Sequence, residues 1–123
     1  MNYTARFIVP IFVAIIMVVV AQAGPRSSLL DETGALAMLE CTIKHDRVYA
    51  HRISLDCVSR GTEKTTDAYF QFVLRENHNA KCAGDPDTSP VVDRYRFYRK
   101  SGKIEWLERI EDRWRAYNPA EIR

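Results

Sequence analysis

An α+β fold, one N-terminal helix packed on a four-stranded, largely antiparallel sheet, is predicted by a change of period along the chain. Apolar residues recur at helical spacing only in "LLDETGALAMLECTIKHD", whereas after Arg52 the recurrence is two. Aromatic side chains then crowd into the alternating segments, which suits a pleated, half-buried surface.

The first residues belong to none of these elements. One positive charge, Arg6, precedes an apolar run from Phe7 to Val20, and Ala21-Gln22-Ala23 supplies small residues where a signal peptidase cuts. That order describes a secretory signal peptide, residues 1–23, cleaved after Ala23. A membrane anchor wants about 20 apolar residues, and this run is shorter and contains Pro10. Contact with the membrane is therefore expected only before cleavage, and the destination is the periplasm or the exterior. Residues 24–30 read as a flexible start and residues 31–123 as a single domain.

The helix is expected from Glu32 to His45, capped by Asp31 or Thr33, with Leu36, Leu39 and Ile43 facing the sheet. In "RISLDCVS", Ile53, Leu55 and Cys57 alternate with Arg52, Ser54 and Asp56, the pattern of a first strand. "RGTEKTTD" reads as a polar connection. "AYFQFVLRE" sets Phe70, Phe72 and Leu74 against Tyr69, Gln71, Val73 and Arg75, a second strand. After the irregular "NHNAKCAGDPDTSP", the run "VVDRYRFYRK" sets Asp93, Tyr95 and Phe97 against Arg94, Arg96 and Tyr98. Ser101-Gly102 makes a tight turn. "KIEWLERI" returns with Ile104 and Trp106 on one face, and "WRAY" adds at most a short edge.

Three cysteines remain, Cys41, Cys57 and Cys82, in a chain bound for an oxidising compartment where disulfides persist. If the first two strands pair antiparallel, Cys57 and Cys82 come to the same end of the sheet. That favours a bridge between them, worth about 3–4 kcal/mol in the chain-entropy picture. Spacing alone leaves the two pairings with Cys41 open. Cys41 itself reads as an inert thiol on the apolar face of the helix.

The stretch from Asp56 to about Tyr117 resembles small exported bacterial proteins with a strand cysteine, a Cys-x-Gly-Asp-Pro-x-Thr-x-Pro turn and an aromatic hairpin closing on "SGKI". The resemblance implies an architecture and no catalytic residue; it supports pairing Cys57 with Cys82 and makes Cys41 an extra. The terminal hairpin is also similar to that of PepSY-type inhibitor or regulatory domains.

Charge narrows the function. The chain holds 18 basic and 16 acidic side chains; losing Arg6 with the leader leaves 17 against 16, a net +1. Nucleic-acid binders show a strong basic excess, so none is expected here. His78, Cys82, Asp85 and Asp87 suggest a metal site, yet zinc wants about four ligands in paired motifs, and "GDPDT" lacks the acidic density of a calcium loop. A hydrogen-bonded turn stiffened by Pro86 and Pro90 is the expected role. No glycine elbow or oxyanion donor flanks Cys41, so no cofactor, metal or catalytic residue is expected.

One surface signal remains. Arg94, Arg96 and Tyr98 share a face, with Tyr69 and Arg75 beside them and Arg109, Arg113 and Arg115 potentially near. Arginine and tyrosine are enriched in protein-binding patches. The expectation is a non-enzymatic periplasmic or secreted binding protein whose partner is an envelope protein, an inhibitor of or accessory to an envelope enzyme. A small metal-binding protein or enzyme centred on His78 and the Asp85–Asp87 turn is the alternative, and a structural envelope component a third.

Overall fold

The computed structural model describes residues 29–122, so the expected leader, its expected cleavage after Ala23 and most of the expected flexible start lie outside the described residues. Helix α1 spans Glu32–His45. It begins there because the Asp31 carboxylate accepts a 2.7 Å hydrogen bond from the Gly34 amide, satisfying one of the helix's free donors. Ala35, Leu39 and Ile43, four apart, form its buried stripe.

The helix ends in a Schellman arrangement. The Val48 amide donates to Ile43 O and the Arg47 amide to Lys44 O, and Val48 packs in the same core as Ile43. Arg47 takes the left-handed position, φ 55°, that glycine usually occupies. Cys41 falls off the buried stripe and is exposed, which corrects its expected place on the apolar face. Leu36 is only partly buried.

Five antiparallel strands follow in a meander: β1 Val58–Thr65, β2 Tyr69–Glu76, β3 Val91–Tyr98, β4 Ile104–Glu108 and β5 Arg113–Ala116, in that spatial order. Two expectations need correction. The alternation over residues 52–57 is not a strand: Leu55–Cys57 is a 3-10 turn closed by the Cys57 amide on Ser54 O, with Ile53 and Leu55 touching the core. The strand is instead the stretch read as a polar connection. As an edge element β1 is exposed on both faces after Val58, so it carries no apolar period, and its ladder to β2 holds it in place. The second correction is the fifth strand: residues 113–116 pair along β4, and the Tyr117 amide extends the ladder to Ile104 O.

The pairing Val58↔Glu76 brings Cys57 beside the end of β2, where the 77–90 loop departs. Cys57 and Cys82 are joined there by a disulfide, Cα atoms 5.5 Å apart. Such a bond fits an oxidising, extracellular compartment.

The core lies between α1 and one face of the sheet, where Phe70, Phe72, Leu74, Tyr95, Phe97 and Trp106 meet Leu39, Ile43 and Tyr49. A four-residue helical turn, α2 (Pro119–Ile122), adds Ile122 to it. Asp93, 3% exposed, is the buried charge of this layer. Tyr49 donates to its carboxylate at 2.8 Å, and the Tyr95 hydroxyl bonds that of Tyr49. Arg52 and Arg109 reach the same carboxylate at 3.4 and 3.3 Å. Buried charges persist when paired and hydrogen-bonded in this way.

Candidate interaction face on the open side of the sheet

Registers decide which side chains leave the sheet away from α1. Tyr69 opposes Tyr98, Gln71 opposes Arg96, and Val73 opposes Arg94. Arg96 opposes Glu105, and Leu107 opposes Trp114. Because side chains alternate along a strand, all of these share the face opposite Phe72 and Tyr95. Most are half-buried by one another.

At the centre, the Arg96 guanidinium carbon sits 3.9 Å from the Trp114 ring centroid and 4.7 Å from that of Tyr69. A cation between two π faces gains about 0.5–2 kcal/mol per contact, depending on desolvation. Its Nε donates to the Gln71 amide oxygen at 3.3 Å, while Glu105, its neighbour across the ladder, attracts the charge through space. Tyr69 in turn packs on Tyr98, ring centroids 5.6 Å apart and tilted by 56°.

Carboxylates neutralise the flanks. Arg94 donates through Nε to both Glu63 oxygens at 3.0 and 2.8 Å, and Gln71 donates to one of them. The bond from Arg94 holds Glu63 below the usual carboxylate range and raises Arg94. On the other flank, Glu105 accepts from Lys103 Nζ at 2.8 Å and from the Tyr98 hydroxyl at 2.9 Å. Burial alone would raise Glu105, but these bonds outweigh it and its pKa is lowered. The bond to Glu105 raises both Tyr98 and Lys103. Arg75, at the end of the face, donates to Ser89 O at 3.1 Å.

The structure thus gathers Tyr69, Arg94, Arg96 and Tyr98, with Arg75 at the margin. Three other arginines lie elsewhere. Arg109 turns to Asp93, while Arg113 and Arg115 lie beside the β4–β5 turn and pair with Glu111. Sequence reasoning missed Trp114, which four-residue β5 places next to Leu107. No sequence signal marked it, because the 109–112 turn sets its pairing with Leu107.

The His78 turn is bonded internally. Nε2 of His78 meets a Glu76 oxygen and Nδ1 meets Asp85 O, both at 2.8 Å. Asp85 Oδ1 accepts from the Asp87 amide at 3.0 Å, an Asx turn. Both ring nitrogens of His78 are thus engaged by protein oxygens. Among the described residues, no three His, Cys, Asp or Glu side chains converge.

The buried tyrosines are donors. Burial, then the neighbouring hydroxyl and carboxylate, push Tyr49 far above the ordinary tyrosine range. Burial also raises Tyr95, so both stay protonated.

Compared with known proteins, the chain matches no family model, no curated protein and no solved structure.

Proposed function

We propose that this chain is a non-enzymatic binding protein of the periplasm or exterior, engaging an envelope protein through the open face of its sheet. The observation that carries the reading is Arg96, held between Tyr69 and Trp114 with a neutral amide as its hydrogen-bond partner. An arginine fixed in this way loses little further entropy on contact, and aromatic neighbours supply area that water leaves readily. The partner expected at such a face presents a carboxylate to the guanidinium and apolar surface to the rings. Inhibition of, or assistance to, an envelope enzyme is the role that suits a small, rigid module. The exported resemblance and the disulfide support the compartment.

Immobilised exported protein tests this against envelope extract. A protein captured by the wild type is expected to be lost with Arg96→Ala and Trp114→Ala, and retained with Lys44→Ala on α1. Equal capture by all four proteins would remove the face from the account.

A further inference from the structure

The turn that closes at Pro90 carries a device the binding reading does not use. His78 leaves the end of β2 with its side chain 10% exposed, pressed against Gly84, where an added Cβ would come within 2.6 Å of the ring. Each ring nitrogen meets an acceptor: the Glu76 carboxylate at Nε2 and the Asp85 carbonyl at Nδ1, both at 2.8 Å. The Thr88 hydroxyl, 3.1 Å from Nδ1, already donates to that same carbonyl at 2.9 Å. A neutral imidazole has a single N–H, whereas the imidazolium has two. Only the charged ring satisfies both sides. We infer that His78 is a pH-operated latch, fastening the tip of this loop, residues 83–88, to the end of β2 when protonated and releasing it when neutral.

The anchors on either side do not depend on that proton. Cys82 is tied to Cys57 by the disulfide. Beyond the tip, Ser89 donates to Glu76 O at 2.9 Å and the Glu76 amide donates to Pro90 O at 2.8 Å. Between these points, among the described residues, the hydrogen bonds from the tip to the rest of the fold are those to His78. On deprotonation the remaining N–H stays with the Glu76 carboxylate, because a bond to an ionised acceptor is the stronger. The Asp85 carbonyl then faces a lone pair, and the tip comes free between fixed ends.

Glu76 from β2 and Asp85 from the tip favour the cation and burial opposes it; Arg52 lines the same small cavity as Cys57, His78 and Cys82. The bond to Glu76 and then that to Asp85 O hold His78 above the usual imidazole value. The latch's contribution to stability is therefore complete below about pH 6.5, the unfolded value, and is lost as pH rises through the higher folded one.

The test follows His78 ring shifts and backbone heteronuclear NOEs in the exported protein between about pH 5 and 9, the range in which imidazoles titrate. NOEs at residues 83–88 are expected to fall in step with His78 deprotonation, while those at Ser89 stay constant. His78→Gln is expected to leave the tip mobile at every pH, and Glu76→Gln to lower the midpoint of ring and tip together. A tip unmoved through the titration, or one still switching in His78→Gln, would overturn the latch.

Discussion

Replacing Asp93 by alanine tests how the buried polar layer is held. The substitution removes the acceptor of the Tyr49 hydroxyl and the common partner of Arg52 and Arg109. A hydrogen bond to a charged group contributes about 1.5–3 kcal/mol. The arginine side chains are 37% and 55% exposed, so solvent screens those pairs to about 0–1 kcal/mol each. Relief from burying a carboxylate offsets part of the sum, leaving a loss of about 2–4 kcal/mol. With m near 1–1.5 kcal/mol/M for a chain this size, the urea midpoint, read by tryptophan fluorescence, should fall by about 2 M. Asp93→Asn keeps one acceptor oxygen and drops the buried charge, so its cost should be roughly half. Burial raises Asp93 above the ordinary carboxylate value despite the Tyr49, Arg52 and Arg109 contacts. Its contribution therefore declines as pH rises through that raised value, and the deficit of the asparagine variant should be greatest in acid. An alanine variant within about 1 kcal/mol of wild type would refute this reasoning.

Other perturbations probe separate parts of the fold. Gly84→Ala meets the His78 ring at 2.6 Å and places a side chain at φ 118°, so denaturant titration should show a loss of about 1–3 kcal/mol, together with a lowered His78 pKa by NMR. Arg47→Gly should stabilise by up to about 1 kcal/mol, since the residue sits at φ 55°; unfolding midpoints that fall would contradict the strain. Cys57→Ser with Cys82→Ser opens a bridge of sequence separation 25 and should cost about 3.5 kcal/mol, measured as the difference in unfolding free energy under identical conditions.

Local signals made α1 legible to both ends. Asp31 caps it through Gly34, and the Leu39–Ile43 spacing survives into the core. Strands β2 and β3 were equally plain, because Phe70, Phe72, Tyr95 and Phe97 alternate with polar neighbours on the opposite face. Period failed where one face is not buried. β1 is polar on both sides and is placed by its partner, whereas residues 53–57 alternate only because a turn leans two apolar side chains on the core. The exposure of Cys41 depends on the rotation of α1, which Leu36 and Met38 blurred. The arginine–tyrosine face was visible through strand parity. Trp114, its second aromatic wall, reaches Arg96 across β4, and the clamp on His78 uses a carbonyl seven residues on; neither contact leaves a sequence pattern.

The most direct measurement of the central claim is an NMR titration of the isotope-labelled protein, its disulfide formed, with a short glutamate-rich peptide and its glutamine counterpart. The account predicts saturable shifts at the Arg96 side chain, Gln71 and the Trp114 indole with the glutamate peptide alone, abolished by Arg96→Gln. Equal responses to both peptides, or shifts gathered on α1, would contradict it.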